Sequence, residues 1–108
     1  MNNIEGLKTV IRDLHGCHST HVQSVPVHET YRGKIVWDGD VEVFLLVDHL
    51  RAKRAYAWSY RNDFGQLRHM VVLGRPPINS GVDAVRASIG VESLFEVAHR
   101  GRFGQPFG

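Results

Sequence analysis

The chain has 108 residues, and its thirteen lysines and arginines against eleven aspartates and glutamates give a formal net charge of +2. This length corresponds to one compact domain, which excludes a two-domain architecture, and so small a charge excess creates no requirement for a polyanionic partner. Hydrophobic residues make up 43% and charged residues 22% of the chain, values that exclude a disordered or fibrous protein.

Residues 2–15 are predicted to form an amphipathic helix, because their apolar side chains recur at spacings of three and four. These side chains are Ile4, Leu7, Val10, Ile11 and Leu14. Asn2 and Glu5 have the spacing of a capping box, and Gly16 can adopt the left-handed conformation that ends a helix.

Two strands are predicted to follow, at residues 20–31 and 34–47. Pro26 cannot donate a ladder hydrogen bond, so the first strand is assigned to a sheet edge. The second is favoured as one long strand, because nearly all of its odd positions are apolar. Asp38-Gly39 is also a strong hairpin signal, and a strand broken at that point is the alternative.

A second hairpin is predicted from residues 54–61 and 66–73. Residues 62–65 are typical of a tight loop, and two prolines at 76–77 stop the last strand because proline cannot continue a ladder.

Two helical segments are predicted after the sheet. Ser80 caps the first, with Asp83 at the capping-box position, and residues 91–100 form the second. The predicted fold is an α+β domain over residues 1–100, with an N-terminal helix and an antiparallel meander of three to four strands. All helices are expected on one face of the sheet. Residues 101–108 are predicted to be a flexible tail.

Three segments carry a resemblance to known proteins: VWDGDVEVFLLVDH, AKRAYAWSY and RPPINSGVDAVRASI. They resemble a family of small single-domain bacterial proteins, similar in style to the products of integron gene cassettes. The resemblance covers residues 4–89 and implies a small α+β domain with a meander sheet. It implies no activity, ligand or catalytic residue.

Four residues near the end of the first helix could ligate a metal ion: His15, Cys17, His18 and His21. Imidazole and thiolate groups are the usual ligands of zinc and copper. Their spacing does not match the paired motifs that close on one ion, so the segment is interpreted as a polar loop and no cofactor is expected. An activated Cys17 thiolate is a further alternative.

Three carboxylates alternate along the long strand, at Asp38, Asp40 and Glu42. Side chains at this period stand about 7 Å apart on one face, a spacing that could serve metal binding or general acid–base catalysis. We interpret them as a solvated face whose charges pair with basic residues of neighbouring strands. The basic residues placed for this pairing are Arg32, Lys34, Arg54 and Arg61.

The strand at residues 54–61 has an aromatic face. Its members are Tyr56, Trp58 and Tyr60, flanked by Arg54, and Phe44 is expected beside them on the adjacent strand. The opposite face carries two alanines and a serine, which permit close approach of the helices. The aromatic face is then left uncovered, and an exposed apolar patch of this kind is typical of an interface or a ligand groove.

Besides burial under a helix, three uses of the aromatic face are open. It could join two copies as a homodimer, bind an apolar small molecule, or stack unpaired bases. The neighbouring carboxylates disfavour nucleic acid. Familiar catalytic signatures such as GxSxG and HExxH are missing.

We therefore predict a non-enzymatic binding or accessory domain that dimerises or binds an apolar ligand. The alternative is a small metal-dependent enzyme that uses residues 15–21 with Asp38 or Glu42. A cytoplasmic location is expected, because Cys17 is the single cysteine and fits a reducing compartment. The longest apolar stretch, residues 43–47, is too short to cross a bilayer, and residues 1–10 lack a secretory signal.

Overall fold

A computed structural model describes residues 3–89 of the chain. The elements are α1 Ile4–His15, β1 His18–Tyr31, β2 Lys34–Val47, β3 Arg54–Arg61, β4 Leu67–Leu73 and α2 at residues 81–89. The four strands form one antiparallel sheet in the order β1-β2-β3-β4. The predicted α+β meander is confirmed, with four strands. The predicted second helical segment and the tail lie outside the described residues.

Helix α1 packs through part of the apolar stripe that its sequence predicts. Leu7 and Ile11 are fully buried, whereas Leu14, in the last turn, is 63% exposed. It ends at Gly16, which has the left-handed conformation, with a φ of +66°. The N-cap is Asn3 in place of the predicted Asn2, and its side chain makes no capping hydrogen bond. Instead, the Asn3 amide Nδ2 donates a 3.3 Å hydrogen bond to the hydroxyl of Ser59 on β3. This contact ties the start of α1 to the sheet.

Strands β1 and β2 form a long hairpin, and β2 is one unbroken strand as favoured. Gly39 lies within the strand rather than at a turn. A Cβ atom at this position would stand 3.3 Å from the indole of Trp37, so the glycine lets that ring lie against the strand. The chain turns at Arg32 and Gly33, which both have positive φ. Strand β1 is an edge strand, as Pro26 predicts.

The two helices cover opposite faces of the sheet, so the prediction that all helices share one face is wrong. The cluster under α1 contains Leu7, Ile11, Cys17, Phe44, Ala55 and Ala57. The cluster under α2 contains Val27, Val41, Val43, Tyr56, Trp58, Ala84 and Val85. Successive side chains of β3 alternate between these clusters, because strand residues point alternately to the two faces. The aromatic side of β3 has a helix of its own.

Helix α2 begins as predicted, with the Ser80 hydroxyl accepting a 3.1 Å hydrogen bond from the backbone N–H of Asp83. Its first turn lies close to β2. A Cβ atom at Gly81 would meet Val41 at 3.3 Å, so only glycine permits this approach without adjustment. Within residues 3–89, neither helix is long and apolar enough to cross a membrane.

The two hairpins are joined along a short stretch only. Strands β2 and β3 pair over four positions, from Glu42 with Ala57 to Leu45 with Arg54. Their pairing stops there, although β2 continues to pair with β1 and β3 with β4. This register sets Phe44 opposite Ala55 and Val43 opposite Tyr56. The expectation that Phe44 shares the aromatic face is therefore wrong, since it faces α1.

Candidate functional site

The predicted aromatic face divides into a covered part and an open part. Tyr56 and Trp58 are buried beneath α2, and the Trp58 side chain is only 5% exposed. Tyr60, two residues further along β3, is 40% exposed. Arg54, at the other end of the strand, is also exposed. The fully uncovered face expected from the sequence is not present, because α2 occupies it. Within residues 3–89, only its outer end is left uncovered.

A cavity of about 390 Å³ lies at this open end. Its apolar wall consists of Trp37, Trp58, Tyr60 and Met70. Its polar wall consists of Arg61, Asn62, Asp63 and Ser88. The lining comes from β2, the β3–β4 hairpin and α2, which meet where β2 and β3 cease to pair. We refer to this site as the aromatic cavity.

Two indoles form the floor of the aromatic cavity. The rings of Trp37 and Trp58 meet edge to face, with centroids 5.3 Å apart and an interplanar angle of 76°. Met70 lies directly across from Trp58 in the β3–β4 register. Edge-to-face contacts of this geometry are favourable, because the positive edge of one ring meets the negative face of the other. Trp37 therefore spans the gap between the two hairpins.

The polar wall is held by the turn between β3 and β4. The Arg61 guanidinium Nη1 donates a 2.7 Å hydrogen bond to the carbonyl of Gly65. The Asn62 side-chain oxygen accepts from the backbone N–H groups of Phe64 and Gln66, each at 2.9 Å. These bonds fix the turn, so Arg61 and Asn62 present their remaining donors from a defined position.

The four candidate metal ligands do not converge. Cys17 is buried in the cluster under α1, and His15 lies beside His49, with ring centroids 6.0 Å apart. Within residues 3–89, no group of three or more histidine, cysteine or acidic side chains is arranged to hold a metal ion. His18 lies instead in a cavity against α1, and His21 bonds to a carboxylate of β2.

The environment of Cys17 opposes the activated thiolate considered above. Burial, together with the negative charge of Asp48, raises the pKa of the Cys17 thiol. The protonated thiol is the less reactive form, because the thiolate is the nucleophile. Burial and the neighbouring His49 lower the pKa of His15, which favours the neutral imidazole.

The three carboxylates of β2 have different surroundings. Asp38 and Asp40 are exposed, whereas Glu42 is 7% exposed. The Glu42 Oε1 atom accepts a 2.8 Å hydrogen bond from His21 Nε2 and a second bond from the Ser24 hydroxyl. A bulge in β1 between residues 21 and 23 allows both partners to point to the same face.

The pairing of these carboxylates differs from the sequence prediction. Glu42 pairs with His21, and Asp38 lies 3.4 Å from His28, so histidines of β1 take the place of the expected lysine and arginines. The physical reason is the register, which sets β1 alongside β2 over the whole length of both strands.

Of the eight residues that line the aromatic cavity, sequence reasoning assigned only Trp58 and Tyr60 to a binding site. It missed the other six: Trp37, Arg61, Asn62, Asp63, Met70 and Ser88. A signal for Trp37 was available in Gly39, two residues further along the same face, where a glycine makes room for a large ring. No local pattern marks Met70 or Ser88, which enter the site only through strand pairing and the placement of α2.

Comparison with protein-family models, with curated proteins and with solved structures finds no match for the chain. The resemblance to integron gene-cassette proteins stays a prediction. The function proposed below therefore follows from the geometry of the aromatic cavity.

Proposed function

We propose that the protein is a binding domain that takes up a small planar aromatic molecule in the aromatic cavity. The observation that carries this proposal is the convergence of Trp37, Trp58 and Tyr60 on an open cavity of about 390 Å³. Volumes of roughly 300–1,000 Å³ are typical of small-molecule sites, which are mostly apolar with a few oriented polar groups.

The lining matches a planar ring with a polar substituent. The rings of Trp37 and Tyr60 line the cavity and can make stacking or edge-to-face contacts, which favour aromatic over aliphatic ligands. Arg61 and Asn62 also line the cavity and can orient the ligand through hydrogen bonds. The ligand is thus recognised by its flat apolar body and by a hydrogen-bond acceptor at its rim.

The homodimer expected from the sequence has less support than ligand binding. Its argument was the exposure of Tyr56 and Trp58, and α2 covers both. The alternative of a metal-dependent enzyme would need residues 15–21 to gather with Asp38 or Glu42. Among the described residues only His21 reaches one of these carboxylates.

The tryptophans provide a direct assay. The chain has two, Trp37 and Trp58, and both line the aromatic cavity, so intrinsic tryptophan emission reports on this site alone. An indole ligand would add its own fluorescence to the tryptophan signal, so 8-anilino-1-naphthalenesulfonate serves as the probe instead. We expect saturable binding with one probe per chain, accompanied by a change in tryptophan emission.

Two tyrosine variants form a matched pair for this assay. Tyr60→Ala should weaken probe binding by about tenfold, because it removes an aromatic wall of the cavity. Tyr31→Ala removes a tyrosine that is 62% exposed at the tip of the β1–β2 hairpin, away from the cavity, and should leave binding unchanged. The proposal fails if wild-type protein shows no saturable binding, or if both variants bind as the wild type does.

A further inference from the structure

A second cavity, of about 220 Å³, lies between α1 and the start of β1. Helix α1 contributes Glu5, Lys8, Thr9 and Arg12, and β1 contributes His18 and Ser19. The helical residues have spacings of three and four, so they form one face of α1, beside the apolar stripe that packs on the sheet. This site is separate from the aromatic cavity, which lies on the face covered by α2.

The cavity brings together basic side chains that have few acidic partners. Lys8 and Arg12 are four residues apart on one helix, an arrangement that is destabilising for like charges. Within residues 3–89, the only ion pair in the cavity joins Lys8 Nζ to the exposed carboxylate of Glu5, at 3.8 Å. Arg12 and the exposed His18 form no ion pair in that part of the chain. An anion bound here would relieve the repulsion.

Ser19 adds an independent observation. The residue is 8% exposed, and its hydroxyl has no hydrogen-bond partner among the described residues. The oxygen itself has almost no solvent-accessible surface. A buried polar group without a partner is costly, and in native proteins such a group calls for a specific reason.

We propose that this cavity binds the phosphate group of a small molecule, held by Arg12, Lys8, His18 and the Ser19 hydroxyl. A phosphate carries up to two negative charges and several acceptor oxygens, which matches basic side chains surrounding a hydroxyl donor. Ser19 lines the cavity, and in the proposed complex its hydroxyl rotates to donate to the phosphate. Glu5 opposes binding, and it turns towards solvent when the anion takes its place beside Lys8.

The test uses the full chain and inorganic phosphate, with glycerol 3-phosphate as a second probe, by isothermal titration calorimetry at low salt. Arg12→Gln should weaken phosphate binding by about tenfold or more, because it removes a charge-assisted hydrogen bond. Arg68→Gln, at an exposed arginine on β4, is the matched control and should bind as the wild type does. Glu5→Gln should bind more tightly, because a repulsive carboxylate is lost.

Ser19→Ala separates a ligand contact from a structural role. We expect weaker phosphate binding together with an unchanged or higher melting temperature in phosphate-free buffer, since the hydroxyl has no protein partner to lose. Absence of saturable phosphate binding would overturn the proposal, as would equal affinities for Arg12→Gln and Arg68→Gln. Equal binding by an unphosphorylated analogue such as glycerol would also overturn it. None of these results bears on probe binding in the aromatic cavity.

Discussion

The two faces of the sheet are closed by their helices in different ways. Under α1, β3 presents Ala55 and Ala57, which have no exposure, and Phe44 from β2 fills the space beside them. Under α2, β3 presents Tyr56 and Trp58, and the outer end of this face opens into the aromatic cavity. Small residues let a helix approach a sheet closely, whereas the large rings of β3 border a cavity beside the described part of α2. One strand thus supplies both a closed core and a binding surface.

The difference extends to polar groups. The face under α1 buries a carboxylate, Glu42, which depends on two partners from β1. The face under α2 keeps its charged groups at the rim, where Arg61 is exposed and Glu29 pairs with Arg86 of α2 at 2.6 Å. Disruption of the first face should therefore affect folding, and changes at the open end of the second should affect binding.

The largest expected effect is at Phe44. Phe44→Ala should cost about 3–5 kcal/mol of unfolding free energy, because a fully buried ring is replaced by a cavity. Trp58→Ala should fall at the lower end of the same range, since part of this side chain already borders open space. Urea denaturation followed by circular dichroism measures both. A costlier Trp58→Ala would contradict the contrast between the two faces.

The next effect concerns the buried carboxylate. Glu42→Ala should cost about 1–3 kcal/mol, because it removes the two hydrogen bonds that the buried carboxylate accepts from His21 and Ser24. The matched control is Asp40→Ala, two residues earlier on the same strand face and exposed, which should stay within about 0.5 kcal/mol of wild type. Equal unfolding free energies for the two variants would show that Glu42 contributes no more than a surface charge.

The smallest effect tests how tightly each face is closed. Ala57→Leu should cost about 1–3 kcal/mol, because added methyl groups have no room under α1. Ser88→Leu adds similar bulk at the wall of the aromatic cavity and should change stability by less than about 0.5 kcal/mol. It should also reduce probe binding. Thermal denaturation measures the stability of both variants. A strongly destabilised Ser88→Leu would mean that the cavity has no room for the added side chain.

Much of the fold follows from local sequence patterns. Helix α1 itself, the single strand β2, the edge position of β1 and the Ser80 cap are all confirmed. The candidate site was predicted only in part. Tyr60 and Trp58 line the cavity, but Tyr56 is core and Phe44 lies on the other face. The alternation of side chains between the two faces of a strand can be predicted from neighbouring residues. The register between two strands cannot, because it depends on residues far apart in the chain.

The sequence by itself determined which residues form helices and strands and which share a face within each strand. Steric preferences and hydrogen-bond periodicity act over a few residues, so they can be read locally. Only the tertiary structure decided that α2 packs against the aromatic side of β3, and that a bulge brings His21 to Glu42. The packing of α2 and the contact between His21 and Glu42 both depend on residues far apart in the chain. The free energy of such contacts depends on how the whole core packs. The aromatic cavity exists because β2 and β3 pair over four positions and then separate, which no local pattern specifies.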